Sequence, residues 1–309
     1  MLAVFIWDKG DVSAWRAALQ SHLPDLDLRT PDEIDQLDQV EFAMTWMPPI
    51  GELKRYPALR AIFSIGAGVS HILRDKSLPP GVPIVRLSDD TLLTDMTTYM
   101  LHWIIHLHRG FHLNRLDAQR AIWRRQQVPE NAARRVGILG MGVIGRALAP
   151  HLVNLRFDVA GWSRTRKTVA GVRSFHGDAQ LRDFLHRTDI LACLLPHTPA
   201  TVDLLNSQRL SWLPRGASLI NAGRGEIVVD ADLLRALDEG HLSAAVLDVF
   251  REEPLPSDHK YWTHPRIMVT PHAAAPTNTP SGATAIASNI ARIQRGALPE
   301  PIVDTALGY

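Results

Sequence analysis

The chain has 309 residues, enough for two domains at roughly 150 residues each. Lys plus Arg number 33 against 32 Asp plus Glu, so no general field draws the protein to nucleic acid. The single cysteine, Cys193, lies in the apolar run Leu191-Ala192-Cys193-Leu194-Leu195, which excludes an internal disulfide and reads as a buried, inert thiol.

Along the chain, short apolar runs alternate with amphipathic segments, the pattern of parallel βαβ units. The first run, at 2–7, is stopped by Asp8 and has no basic stretch before it, so it reads as a strand and not a signal peptide. A helix is predicted over 12–22, then strands at 42–46, 61–65 and 84–87. From Thr94 to about Gln126 few breakers occur, which predicts one or two long linking helices. A second series of strands follows at 135–139, 158–162, 190–195, 218–222, 245–250 and 267–270, a six-strand doubly wound pattern. Residues 281–295 read as a closing helix. No apolar stretch approaches membrane-spanning length, and a reducing cytoplasm is the expected compartment.

Gly140-Met141-Gly142-Val143-Ile144-Gly145 follows the strand at 135–139 and opens the helical run 143–155. In that context the first glycine permits a tight turn, the second lets backbone approach a pyrophosphate, and the third allows close helix–strand packing. The helix N-terminus adds N–H groups and a positive dipole. The second strand of this series ends in Gly161-Trp162-Ser163-Arg164-Thr165-Arg166-Lys167. An NAD site carries an acidic residue there for the ribose 2′-OH; this one has none, and its cations suit a 2′-phosphate. NADP(H) is therefore expected in preference to NAD(H), with Ser163 and Arg164 as main contacts and Arg166 or Lys167 in support. The competing reading is a solvated basic loop.

Three further groups stand at predicted strand ends: Asn221-Ala222-Gly223-Arg224-Gly225, Asp248-Val249-Phe250-Arg251-Glu252-Glu253, and Thr270-Pro271-His272-Ala273. The carboxyl ends of parallel strands form the ligand crevice of an open sheet, so the three are expected to converge. An arginine there can fork onto a carboxylate, a histidine can protonate a ketone oxygen, and a neighbouring glutamate can hold the ring and favour its charged form. Arg224, Glu253 and His272 thus suffice for reducing an oxo acid.

With these residues in place the chain resembles the D-isomer-specific 2-hydroxyacid dehydrogenases over nearly its whole length, and most of all their glyoxylate/hydroxypyruvate reductase branch. Gly66-Ala67-Gly68-Val69 is similar to the family's carboxylate-binding loop, Arg224 to its substrate arginine, and Glu253 with His272 to its acid/base pair. Asp248 matches the aspartate that contacts the nicotinamide amide. Residues Trp162 to Lys167, Pro196-His197-Thr198-Pro199 and the closing Gly308-Tyr309 resemble the same branch. Ser70 and Thr98 depart from the commoner Asp and Glu at their positions. The resemblance implies a Rossmann cofactor domain, residues 99–280, inserted in a flavodoxin-like substrate domain, residues 1–98 plus 281–309. It assigns Pro196, Ala222 and Gly223 to the cofactor and Trp46, Ala67 and Gly68 to a small 2-oxo acid, with Met47 and Ile65 near the pocket wall. The linking helices would build a homodimer. Their histidines His102, His106, His108 and His112 lack the third ligand of a motif such as H-E-x-x-H, so no metal is expected. Two alternatives stay open: a reductase of larger 2-oxo acids such as phenylpyruvate, and a cofactor-sensing, corepressor-like binding protein. No G-x-S-x-G elbow exists for a serine hydrolase.

Overall fold

The computed structural model describes residues 1–308, so Tyr309 lies outside the described residues. In chain order the elements are β1 (Leu2–Ile6), α1 (Val12–Gln20), β2 (Asp27–Arg29), β3 (Val40–Thr45), β4 (Ala61–Ser64), α2 (Ser70–Leu73) and β5 (Ile84–Val85). Helices α3 (Asp90–His108) and α4 (Phe111–Gln119) follow, then β6 (Arg135–Leu139), α5 (Val143–Asn154), β7 (Asp158–Ser163), β8 (Arg173–His176), α6 (Leu181–His186), β9 (Ile190–Cys193) and α7 (Ser207–Leu210). The last elements are β10 (Ala217–Asn221), α8 (Asp230–Asp238), β11 (Leu242–Leu247), β12 (Ile267–Val269) and α9 (Thr279–Gln294). Two compact units result: Met1–Leu92 with the segment from Pro276 onward, and Leu93–Ala275.

In the first unit a five-stranded sheet has the order β2-β1-β3-β4-β5, and its strand pairs are parallel. Its central strands carry apolar residues on both faces, as a sheet covered on both sides requires. Phe5, Phe42, Met44 and Phe63 pack with Trp15 and Leu19 of α1 and Ile286 and Ile290 of α9. On the opposite face Val4, Ala43 and Ile62 pack with Leu53, Tyr56 and Ile72. Asp11 caps α1 by accepting from the Ser13 and Ala14 N–H groups. The sequence predicts four strands here. The fifth, β2, is three residues long with Leu28 as its buried side chain, so it has no apolar run to betray it.

The second unit holds a seven-stranded parallel sheet of order β12-β11-β10-β9-β6-β7-β8. The order reverses between β6 and β9, the switch point at which doubly wound sheets open a crevice. One strand more is present than predicted: β8 is an edge strand whose sequence, Arg-Ser-Phe-His, has no fully buried residue. The core on one face gathers Leu139, Cys193 and Leu219 with Phe184 and Leu185 of α6 and Leu233 and Leu237 of α8. Burial pushes the Cys193 thiol up to about 12, which leaves it without thiolate reactivity at neutral pH. The linking segment forms two helices, broken at Gly110 with φ +68°. It begins at Asp90, where Asp89 accepts from the Leu92 N–H at 2.8 Å, and ends at Gln119, short of the predicted 126. Among the described residues no helix is long and apolar enough to cross a membrane.

Phe184 is fully buried, so Phe184→Ala should cost about 3–5 kcal/mol of unfolding free energy in chemical denaturation. A loss below about 1 kcal/mol would mean that α6 is not part of the cooperative core.

Candidate active site

One row of paired residues crosses the second sheet: Trp162, Leu139, Cys193, Asn221, Leu247 and Val269 are successive Cα partners. The residues that follow them are Ser163, Gly140, Leu194, Ala222, Asp248 and Thr270, which lie within or lead into the segments singled out in the sequence. Parallel pairing therefore brings the glycine turn, the basic loop and the three strand-end groups to one edge.

The glycine turn is tied to its neighbours by backbone. Gly140, at φ +118°, donates to the Trp162 carbonyl at 2.9 Å, and a Cβ on it would meet the Leu194 carbonyl carbon at 2.9 Å. A Cβ on Gly145 would fall on the Gly140 carbonyl oxygen, so α5 can lie this close to its own turn only with glycine there. Gly142 caps α5 and has nothing within 4 Å of an added Cβ, which is the open approach a pyrophosphate needs. Val143 is exposed and Ile144 half-buried at the first turn of α5, while Met141 is buried against Gly161. The Trp162 ring is buried, its Nε1 donating to the Gly177 carbonyl at 2.9 Å, so only its main chain faces the loop. Ser163 donates to the Thr165 carbonyl at 2.8 Å, which bends the basic loop back on itself. Arg164, Arg166 and Lys167 are exposed along it.

Arg224 sits in an extended conformation between two supports. The buried Asn221 side chain accepts from the Gly223 N–H at 3.1 Å and donates to the Arg224 carbonyl at 3.0 Å. A Cβ on Gly225 would overlap the backbone of Phe250 and Arg251, so the Arg224 loop lies directly on the turn that carries Glu253. Burial lowers the Arg224 guanidinium from its usual range, opposed by the charges of Glu253 and Glu226. Burial alone would raise Glu253, but the hydrogen bond from His272, the Phe250 N–H and the charges of His272 and Arg224 hold its carboxyl below the usual glutamate range. Its Oε1 accepts from the Phe250 N–H at 2.9 Å and its Oε2 pairs with His272 Nδ1 at 2.7 Å. His272 is itself in the left-handed region at φ +51°.

Two of the expected cofactor residues have side chains that also hydrogen-bond within the protein. Besides Trp162, Asp248 is 1% exposed and its carboxylate accepts from Thr270 Oγ1 at 2.6 Å and from the Ala273 and Ala274 N–H groups at 2.8 and 3.1 Å. Pro196 starts a loop closed by Thr201, whose hydroxyl donates to the Pro196 carbonyl at 2.7 Å. Ala222 is buried and donates to the Cys193 carbonyl. Trp46, Ala67 and Gly68 belong to the first unit, at the ends of β3 and β4. There the Trp46 ring lies 4.1 Å from the His71 ring, tilted by 49°, and Ser64 donates to the Gly66 and Gly68 carbonyls at 2.9 and 2.8 Å. Sequence reasoning missed Asn221, Arg251 and Thr270 as supports. The one available signal was their place inside the strand-end motifs. Arg251 reaches the Glu226 and Val228 carbonyls and Asp203, stapling the loop after Arg224 to two others. Among the described residues no group of three or more His, Cys, Asp or Glu could hold a metal.

Because Glu253 has a lowered folded-state pKa, its contribution to stability is present above the unfolded value of about 4.3 and is lost as pH falls through the lowered one. The melting-temperature gap between wild type and Glu253→Gln should therefore stand at pH 6 and close as pH falls below about 4. A gap unchanged at pH 3 would mean that the carboxylate is not held by this pairing.

Residues 101–274 match the family model described as D-isomer specific 2-hydroxyacid dehydrogenase, NAD binding domain. The chain is 40% identical over 304 residues, 97% of either chain, to glyoxylate/hydroxypyruvate reductase A of Photorhabdus laumondii. It superposes with a TM-score of 0.96 and 37% identity on a D-isomer specific 2-hydroxyacid dehydrogenase of Xanthobacter autotrophicus Py2 in complex with NADPH and MES, covering 100% of this chain and 99% of that one. With the NADPH-dependent glyoxylate/hydroxypyruvate reductase of Sinorhizobium meliloti, in complex with NADP and sulfate, the TM-score is 0.92 at 35% identity with the same coverage. A family model over more than half of the residues, relatives matched along their full length and a strand-end row bearing Arg224, Glu253 and His272 lead to one conclusion: the chain belongs to the D-isomer-specific 2-hydroxyacid dehydrogenases.

Proposed function

We propose that the protein is a reductase of small 2-oxo acids that uses NADPH, taking glyoxylate to glycolate and hydroxypyruvate to D-glycerate. The observation that carries the reading is the 2.7 Å pair of His272 Nδ1 and Glu253 Oε2, beside the desolvated Arg224. The reductase names of the relatives and the NADP(H) of the two solved structures support it.

When bound, NADPH supplies a hydride to C2 of the oxo acid. Gly140, Gly142 and Gly145, with Met141, Val143 and Ile144 around them, hold the pyrophosphate at the α5 N-terminus. Ser163 and Arg164, supported by Arg166 or Lys167, take the 2′-phosphate; the main chain of Trp162 and of Pro196, Ala222 and Gly223 flanks the dinucleotide. Arg224 forks onto the substrate carboxylate, a grip that a single-point cation cannot reproduce. His272 gives its Nε2 proton to the C2 oxygen, so the ketone becomes an alcohol. Glu253 keeps Nδ1 protonated and the ring oriented. For Trp46, Ala67 and Gly68 we propose substrate contacts, in a substrate domain of 1–98 plus 281–309, with residues 99–280 as the cofactor domain. The chain works as a cytoplasmic homodimer paired through α3 and α4; exposed Phe111 and Leu113 on α4, with Ile122 and the 93% exposed Trp123 just after it, support that face.

His272→Gln should lower kcat at least about a hundredfold with NADPH and glyoxylate while leaving NADPH affinity nearly unchanged, since proton donation contributes roughly 10² to 10⁴ in rate. Near-wild-type turnover in this variant would remove His272 from the acid role. Binding of NADPH by the wild type without turnover of glyoxylate, hydroxypyruvate or phenylpyruvate would favour a cofactor sensor instead, and a preference for phenylpyruvate would favour the larger substrates.

For the cofactor, Ser163→Asp combined with Arg164→Gln should reverse the NADPH preference, because a carboxylate accepts from a free 2′-OH and repels a 2′-phosphate. Raising salt should weaken wild-type NADPH binding more than NADH binding, as exposed charges are screened over about 8 Å at physiological ionic strength. A wild type that already prefers NADH, or a double variant with an unmoved ratio of kcat/KM values, would reduce the basic loop to solvated surface.

A further inference from the structure

We propose that Tyr99 and Thr270 are positioning residues, forming with Asp248 a hydrogen-bonded relay that sets the place of His272. The loop after β12 has an unusual mode of support. The His272 N–H donates to the Asp248 carbonyl at 2.8 Å, the Ala273 N–H to its Oδ1 at 2.8 Å and the Ala274 N–H to its Oδ2 at 3.1 Å. Three successive N–H groups thus end on one residue, and they do so across a left-handed φ of +51° at His272, a conformation that a residue with a Cβ adopts at a cost. The aim of the imidazole therefore depends on where the Asp248 side chain points.

The Asp248 side chain is itself aimed from outside the loop. Its Oδ1 takes a second hydrogen bond, from Thr270 Oγ1 at 2.6 Å, and Thr270 Oγ1 lies 2.7 Å from the Tyr99 hydroxyl. With the threonine proton committed to the carboxylate, its lone pair is left for Tyr99, so the chain runs from the tyrosine O–H to the threonine O–H to the carboxylate. Burial raises the Tyr99 phenol well above its ordinary range and keeps its proton in place. Tyr99 is fixed on α3, with Trp103 at 6.1 Å ring to ring in an edge contact. The relay spans 171 residues of sequence between Tyr99 and Thr270, so it anchors the loop to α3, which carries none of the chemistry. Within such a chain each bond polarises the next, and a carboxylate buried with an acceptor site left open is costly.

This inference rests on the reductase reading for its main assay. Two substitutions at one position separate a hydroxyl from a shape: Thr270→Val keeps the volume and loses the O–H, while Thr270→Ser keeps the O–H and loses a methyl. With NADPH and glyoxylate, kcat should fall at least about tenfold in Thr270→Val and stay within about threefold of wild type in Thr270→Ser, because misplacing a catalytic group by a fraction of an ångström is felt in turnover. KM and NADPH affinity should hardly move. Tyr99→Phe should show a smaller fall of the same kind. A second readout needs no turnover: the ¹H–¹³C ring resonances of His272 should shift in Thr270→Val and Tyr99→Phe and return toward wild type in Thr270→Ser. The opposite order, with Val active and Ser impaired, would make Thr270 a packing residue and overturn the relay, as would ring resonances that ignore all three changes. A wild type without turnover would sink the reductase reading alone, and the ring resonances would still decide the relay.

Discussion

Parallel strands hydrogen-bonded in one direction place all of their carboxyl ends on one edge, and the residues of the second unit obey a stricter form of that constraint. Trp162, Leu139, Cys193, Asn221, Leu247 and Val269 stand in one row, so the chain leaves six strands at the same height. A slip of one residue in any strand would turn each of its side chains to the other face. It would also move a functional segment by about 3.3 Å, more than a hydrogen bond can absorb. Buried apolar residues on both faces pin the register, and the register in turn pins the chemistry.

The site is held by burial balanced against specific partners. Arg224 loses water and keeps the charges of Glu253 and Glu226 as compensation, while Glu253, whose side chain stays 35% exposed, is held below the usual glutamate range by His272, the Phe250 N–H and Arg224. Because the Glu253–His272 pair is open to solvent, its net contribution to stability is small, about 0–1 kcal/mol, and its main effect is to orient the imidazole. The Gly225 contact with Phe250 and Arg251 is purely steric and sets the separation of the two loops without charge.

Much of this was legible in the residues themselves. The glycine turn, the basic strand end and the Arg, Glu and His groups announce themselves because each is a local pattern attached to a recognisable strand. Thr270 was visible within its motif, but its partner Tyr99 was not, since a contact between residues 171 positions apart is set by packing and leaves no periodic trace. Strands β2 and β8 escaped notice for a related reason: an edge strand of three or four residues buries too little to need an apolar run. Trp162 and Asp248 were visible as residues but not as orientations. One strand end can present either a side chain or its main chain to a ligand, and here the Trp162 ring turns into the core and the Asp248 carboxylate turns to the His272 loop.

The order of elements in the first sheet has a bearing on how the protein is made. The face formed by Phe5, Phe42, Met44 and Phe63 is complete in sequence once β4 is synthesised, but half of its cover is α9, which begins roughly 200 residues later. At a ribosomal rate of about 5–20 residues per second, that apolar surface waits on the order of 10–40 s for its partner. The second unit is continuous from Leu93 to Ala275 and can finish folding in that interval. The nascent chain therefore passes through a state with one unit closed and the other still open along a hydrophobic face, the kind of intermediate that chaperones bind.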